Sequence, residues 1–525
     1  MTNIADQTET IAFLEVVLSR NGGEVRKIAT HASLVFLGTD RALKLKRAVR
    51  FEFLDFSTPE RRLRFCEAEL VLNRRTAPRL YVAVRRITRE ADGRLALDGA
   101  GHLVDAVVEM RRFEDRNLFD NLAQHGELTP ALITPLARRI AHFHKLAETS
   151  RAHGGAAAIG HVLDMNEQGL SAASVFPTSQ TNELTAGFRE ALRQLGPLLD
   201  RRREQGKVRR CHGDLILRNI CLFENEPTLF DCLEFNEDLA TIDVLYDLAF
   251  LLMDLWHRNQ RDLANLVFNR YLDELDETDG LALMPFFMAM RATVRALVTS
   301  LQASEALPDH SAPLRDEAVA YFDLARSLIK PVPPILVAVG GLSGSGKSTA
   351  TSSIAPALGS PPGARVLSSD RIRKALYGVV AETPLPGAAY RPEVSERVYT
   401  ELRSRARATL AAGCAVVVDA VHDRPAERKA IEVVGREAGV TFGGFWLAAP
   451  LKVLLSRLAE RHGDPSDANA TVLLAQASRD CGDVTWHRID AESDPAGTRE
   501  TMLAALAVWT SDPAQTCQAG ARQQR

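Results

Sequence analysis

The chain is poor in cysteine, in aromatic residues and in net charge, and each shortage removes a class of protein. Seven cysteines, at positions 66, 211, 221, 232, 414, 481 and 517, are spread over 525 residues with no CxxC pair. That spacing argues against a disulfide framework and against a structural zinc site. Aromatic residues make up 6% of the chain, and the net charge is −3 with acids and bases interspersed. Neither a strongly basic nucleic-acid binder nor a membrane-surface protein is indicated, although a local basic groove stays open. No apolar run approaches the roughly 20 residues that cross a bilayer. The opening stretch, MTNIADQTETIAFLEVVLSR, has early acids and no basic segment ahead of an apolar one. It predicts an amphipathic helix and not a secretion signal, and a reducing cytoplasm is the expected location. Internal repeats and low-complexity tracts are also missing.

What is present is an ordinary globular composition, 46% hydrophobic and 25% charged. The length suggests two to four domains. The clearest boundary is KPVPPILVAVGG, where Lys330 to Pro334 cannot continue the preceding helix. Three segments follow: residues 1–330, residues 333–511 and a loose tail, 512–525. In the first segment strands precede helices, as in ASLVFLGTDRALKLKRAV followed by TPERRLRFCEAELVLNRR, whose Thr58 and Pro59 read as a helix start. In the second, ILVAVGG, RVLSSD, CAVVVDA and FGGFWLAAP alternate with helical stretches, which predicts a parallel sheet with helices on both faces.

Two stretches carry chemistry. In CHGDLILRNI, Asp214 and Asn219 stand five residues apart behind a His-Gly pair. This is the Asp-to-Asn spacing of the protein-kinase catalytic loop. Downstream, TLFDCLEF delivers Asp231 from a short strand; upstream, RALKLK puts Lys44 and Lys46 on one strand face. The next helix offers Glu67 and Glu69 as ion-pair partners. Lys44 and Glu69 are the preferred pair, and the remaining lysine and acid are expected as solvated surface charges. His142 and His144 read as packing or surface residues, and Cys211, Cys221 and Cys232 as small core residues.

CHGDLILRNI, LFDCLEF and IDVLYDLAFLLMDL resemble, in order and spacing, the aminoglycoside phosphotransferase family over roughly residues 25–300. The resemblance implies a bilobal α+β protein-kinase-like fold. It implies Asp214 as catalytic base, Asn219 and Asp231 as Mg²⁺ ligands, and Lys44 as the lysine anchoring the ATP phosphates. It also implies Asp247 as a brace of the catalytic loop and VVEMRRF as the hinge that receives adenine. The chain departs from the family at two places. THASLVF replaces a GxGxxG loop, leaving Ser33 to help cover the phosphates, and Ile216 stands where many relatives have His. Glu237, Asp238 and Asp243 are candidate partners for a cationic acceptor, or else plain solvated acids.

GGLSGSGKST satisfies G-x-x-x-x-G-K-[ST], between an apolar strand and a helical stretch. The backbone of Gly341, Ser343, Gly344, Ser345 and Gly346 is expected to cradle phosphates at a helix start, with Thr349 just behind. Lys347 would reach the β- and γ-phosphates and Ser348 would hold Mg²⁺. Asp370 and Asp419 end two later strands, where ligands of open α/β sheets gather. Arg457 and Arg461 share a helical face ahead of a polar loop. These residues resemble the zeta-toxin, gluconate-kinase and polynucleotide-kinase-like group of P-loop kinases, over roughly residues 333–510. The resemblance implies Asp370 as the base for an acceptor hydroxyl, Arg373 beside the substrate, Asp419 at the Walker B position and Arg457 and Arg461 as lid arginines.

The expectation is therefore two domains, each an ATP- and Mg²⁺-dependent phosphotransferase for a small hydroxyl compound. A nucleic-acid 5′-hydroxyl kinase is the rival for the second half, with DRIRK and LRSRAR as its basic groove. A regulatory protein with one inactive half is the other rival.

Overall fold

Side chains alternate across a strand, so Lys44 and Lys46 share one face while Leu43 and Leu45, fully buried, share the other. This alternation organises the first half of the computed structural model, which describes residues 6–19, 24–30, 32–51, 54–460, 465–492 and 494–511. The tail expected from residue 512, and Arg461, expected as a lid arginine, lie outside the described residues. Packing divides the chain into two compact units, Met1–Met165 with Leu192–Asp254, and Asn166–Ala191 with Leu255–Arg525. The division does not fall at residue 332. The helices beyond residue 254 pack in the same unit as the second sheet.

In the first unit, helix α1 (Thr8–Ser19) buries Thr10, Leu14, Val17 and Leu18, a spacing that makes one apolar face. Strands β1 (Arg26–Ala29), β2 (Ser33–Leu37) and β3 (Arg41–Lys46) lead to helix α2 (Pro59–Arg74). Thr58 caps α2 by accepting from Arg61 N at 3.3 Å, with Pro59 in the first turn, as the sequence predicts. Strands β4 (Tyr81–Arg89), β5 (Leu95–Leu97) and β6 (His102–Arg111) complete an antiparallel sheet ordered β1-β2-β3-β6-β4-β5. Leu43 and Leu45 pack with Leu14, Leu18 and Phe36 on one face. Ala42 packs with Cys66 and Val108 on the other. Helix α3 (Pro130–Leu146), hairpin strands β7 (Ile220–Phe223) and β8 (Glu226–Leu229), and the start of helix α4 (Val244–His257) complete the unit.

The second unit holds helix α5 (Arg261–Glu274) and a parallel sheet of β9 (Ile335–Gly340), β10 (Arg365–Ser368), β11 (Val416–Asp419), β12 (Thr441–Ala448) and β13 (His487–Asp490). Their order is β10-β11-β9-β12-β13. Ile335, Val337 and Val339 enter the core on one face, and Leu336 and Ala338 the core on the other. Helices α6 (Lys347–Ile354), α7 (Ser369–Leu376), α8 (Pro392–Ala411), α9 (Leu451–Ala459) and α10 (Ala470–Ala477) lie between or beyond the strands. The segment Thr278–Glu305 is long and apolar enough to cross a membrane by length and composition, contrary to the sequence expectation. It is 67% buried inside the structure over its most apolar window, with Phe286, Phe287 and Met288 in the core.

Candidate active sites

The first site begins with a loop hung from a helix. Asp247 and Asp254 are seven residues apart on α4, hence on one face. Asp247 Oδ1 accepts from Gly213 N at 2.8 Å and Oδ2 from His212 N at 3.2 Å. Asp254 Oδ2 accepts from Leu217 N at 2.9 Å. Gly213 has φ +87°, and a Cβ there would lie 2.9 Å from that of Leu233, so glycine is required. The loop carries Asp214, whose Oδ2 accepts from Asn219 Nδ2 at 2.8 Å and from Arg218 at 3.3 Å. Asn219 thereby turns its amide nitrogen to Asp214 and leaves its oxygen side for another partner.

Asp231 follows β8 in a left-handed conformation, φ +64°, with its N–H donating to the Tyr81 hydroxyl at 3.2 Å. Its carboxylate pairs with Lys44 Nζ, which also donates to Glu69 Oε1 at 2.9 Å. Burial works against the Lys44 ammonium, but Asp231 and Glu69 outweigh it, so its pKa stands well above the ordinary lysine range. Burial raises the Asp231 carboxyl, and Lys44 outweighs that too, leaving it below its ordinary value. Glu67 is exposed, whereas Glu69 is fully buried.

Lys46 is a correction to the sequence reading. It is no solvated charge: it is fully buried, donates to Glu69 Oε2 at 2.7 Å and pairs with Glu234. Glu69 thus spans both lysines, one oxygen each. Ser33 is buried opposite Lys46 in the β2–β3 pairing, and its backbone N–H donates to Thr30 Oγ1. His144, expected as a packing or surface residue, is fully buried, and its Nε2 lies 3.0 Å from Asp247 Oδ2. His142 is exposed. Asp243 is likewise no solvated acid, because Arg202 grips both its oxygens at 2.7 and 2.9 Å; Glu237 and Asp238 are exposed. Cys211, Cys221 and Cys232 are buried, and burial pushes the Cys221 thiol up to about 12.

The second site is a glycine loop between β9 and α6. Gly341, Gly344 and Gly346 have φ of +139°, +84° and +88°. A Cβ on Gly341 would stand 2.5 Å from Leu447 O, and one on Gly344 2.8 Å from Leu454 O. Ser343 and Ser345 are buried in the loop, and Thr349 is exposed in the first turn of α6. Ser348 Oγ donates to Asp419 Oδ2 at 2.7 Å, which unites two candidate metal ligands from α6 and β11. Lys347 Nζ folds back to Leu342 O at 3.0 Å. Gln476, which no sequence signal marked, accepts from Ser343 N at 2.9 Å.

Asp370 lies in the first turn of α7, since β10 ends at Ser368. Arg373 is buried, donates to Ala389 O at 2.7 Å and lies over the Tyr390 ring at 4.8 Å. Arg457 donates to Ala491 O at 2.8 Å and Glu492 O at 3.4 Å, so its guanidinium is tied to the segment after β13. The basic stretches proposed for nucleic acid are internally engaged. Arg371 pairs with Asp273, Lys374 with Asp467, Arg403 with Glu396, Arg405 with Glu401 and Arg407 with Glu437.

Comparison with known proteins places each loop inside a matched family stretch. Residues 25–283 match the phosphotransferase enzyme family, and residues 336–479 match an AAA domain family. The chain joins a phosphotransferase-family domain to a P-loop kinase domain. The chain is an enzyme of the kinase type. Uncharacterized proteins of Mycobacterium tuberculosis (strain ATCC 25618 / H37Rv) and Mycobacterium bovis (strain ATCC BAA-935 / AF2122/97) are each 29% identical to it over 498 residues, 92% of this chain and 95% of theirs. Among solved structures, aminoglycoside 2′-phosphotransferase-IIIa is 14% identical, covering 62% of this chain and 99% of its own, with TM-score 0.37. A gluconokinase from Sinorhizobium meliloti 1021 is 24% identical, covering 35% and 96%, with TM-score 0.24.

Proposed function

We propose that both halves of this tandem kinase transfer the γ-phosphate of ATP, each to a hydroxyl group of a small molecule. Lys44 and Asp214 serve the first half, and Lys347 and Asp370 the second. The observation that carries the first assignment is the meeting of Lys44, Glu69 and Asp231, with Asp214 and Asn219 bonded together on a braced loop. In the second half, the bond from Ser348 to Asp419 at the start of α6 has the same weight.

The donor sets suit Mg²⁺, which takes hard oxygen ligands: Asp231 and the Asn219 amide oxygen in one half, Ser348 and Asp419 in the other. Bound there, Mg²⁺ would neutralise charge developing on the transferred phosphoryl group. The chain's own groups do the rest. Lys44 stays a cation and anchors phosphate oxygens. Asp214, steadied by Asn219 and Arg218, accepts the proton of the acceptor hydroxyl, and Asp370 has that role in the second half. In the P-loop half the loop N–H groups and the start of α6 hold the phosphates, Lys347 swings to the β- and γ-oxygens, and Arg373 stands beside the acceptor.

An equilibrium titration with Mg-ATP tests the reading, together with mass detection of products from a panel of aminoglycosides, sugars, nucleosides and 5′-hydroxyl oligonucleotides. Two nucleotide sites are expected per chain, one lost in Lys44→Ala and the other in Lys347→Ala. A single site, or nucleotide binding without any phosphorylated product, contradicts it.

A further inference from the structure

Strand β10 leads directly to Asp370, and it is an edge strand of the P-loop sheet. An edge strand leaves a row of backbone N–H and C=O groups without a strand partner. Here helix α5 supplies the partner from its side chains. Asn269 Oδ1 accepts from Val366 N at 2.7 Å, and its Nδ2 donates to Ala364 O at 3.2 Å. One side-chain amide therefore offers the donor and acceptor that a neighbouring strand would present. Asn265 Nδ2 donates to Ala364 O at 3.0 Å and to Pro362 O at 2.9 Å. Gly363 has φ +95°, and a Cβ there would come within 2.9 Å of Asn265 Nδ2, so the chain passes beneath Asn265 only as glycine.

One turn further along α5, Asp273 Oδ1 accepts from Arg365 at 2.8 Å, and its Oδ2 from Arg371 at 3.3 Å. Arg365 also donates to Asn269 O and Oδ1 at 3.1 and 3.0 Å. Asp273 thus grips the chain on both sides of the turn from β10 into α7, one residue from Asp370. Burial raises the Asp273 carboxyl, and Arg365 and Arg270 outweigh it, so it stays ionised.

Residues 265, 269 and 273 recur every four positions, on one helix face. A face packed on a sheet is ordinarily apolar, because burying polar groups is unfavourable unless each is bonded. Asn265 and Asn269 are 3% and 2% exposed, and among the described residues their hydrogen bonds outside the helix run to residues 362–366. The pattern matches the edge of the sheet and not generic packing. α5 also lies inside the stretch that matches the phosphotransferase family, 25–283, although it completes the sheet of the P-loop half.

We propose that α5 closes the open edge of the P-loop sheet, and that Asn269 and Asp273 are positioning residues that hold Asp370 in place. The second clause rests on Asp370 acting as base in the P-loop half.

The test uses the full chain carrying Asp214→Asn, so that turnover reports the P-loop half. Hydrogen exchange over residues 363–368 and Lys347-dependent ADP release from Mg-ATP are measured in Asn269→Leu, Asn269→Asp, Asp273→Asn and Asp370→Asn. Asn269→Leu is expected to speed exchange over 363–368 by about tenfold or more, the loss of roughly one backbone-type bond. Its kcat is expected to fall about tenfold with the KM for Mg-ATP within about twofold, as a misplaced base requires. Asn269→Asp retains the acceptor for Val366 and Arg365 and loses the donor to Ala364, so it should fall between wild type and Asn269→Leu. Asp273→Asn should lower kcat with little change in exchange at Val366. Unchanged exchange in Asn269→Leu overturns the edge closure; faster exchange with unchanged kcat overturns the positioning role. If Asn269→Leu does not fold, Asn269→Asp and Asp273→Asn decide both points. Undiminished turnover in Asp370→Asn removes the base assignment itself, and the exchange measurement still decides the edge closure.

Discussion

Single residues decide the electrostatics of both sites. Lys46 neutralises one oxygen of Glu69 and the carboxylate of Glu234, all in burial. Lys46→Met leaves Glu234 without its cation and Glu69 with Lys44 alone, and breaking a buried pair in this way costs about 3–5 kcal/mol. Denaturant unfolding should show the first unit weakened by that order, and an unchanged midpoint would contradict the network. His422 makes a second prediction. Its ring packs against Tyr399 and Trp486 at 5.5 and 5.2 Å, fully buried, and neither ring nitrogen has a hydrogen-bond partner among the described residues. Burial, then Arg428, Lys347 and Arg403, push its pKa down from 6.5 to about 3. The unfolded chain therefore takes the proton first. Stability from this group is full above about pH 6.5 and falls toward pH 3, by up to about 1.4 kcal/mol per pH unit. His422→Leu should flatten the acid side of the stability–pH curve; a curve as steep as wild type would show that other groups govern it.

Loops hung on helices set the next scale. The loop that carries Asp214 depends on Asp254 as well as Asp247, since Asp254 accepts from Leu217 N. Asp254→Ala should lower kcat of first-half transfer about tenfold, with nucleotide affinity nearly unchanged, because it shifts Asp214 without touching Lys44. A selective loss of nucleotide affinity would show that the loop holds ATP and not the base. Gly344→Ala puts a Cβ 2.8 Å from Leu454 O at φ +84°, and should abolish nucleotide binding in the P-loop half alone. The two loops were legible in the sequence because each is built from contiguous residues whose types fix both backbone and chemistry. Other elements were not. Strand β13 alternates half-buried, exposed, buried and exposed, too weak a pattern to stand out. RVLSSD looked like a strand up to Asp370, yet Ser369 already begins a helix.

For the whole molecule, the order of a kinase-like segment and a P-loop segment was readable from the proline break and the change of rhythm. The packing division was not, because α5 presents Asn265, Asn269 and Asp273 as though to solvent, and their partners lie 92 to 99 residues away. The Lys46–Glu234 pair escaped for the same reason, being separated by 188 residues. The central claim is two phosphotransfer sites on one chain, and labelled γ-phosphate transfer tests it most directly. Wild type, Asp214→Asn, Lys347→Ala and the double variant would be run against one acceptor panel. The account predicts that each single variant loses one set of products, by about 10²–10⁴ for the base, and keeps the other, while the double variant loses both. Loss of every product in one single variant, or products surviving in the double variant, would contradict it.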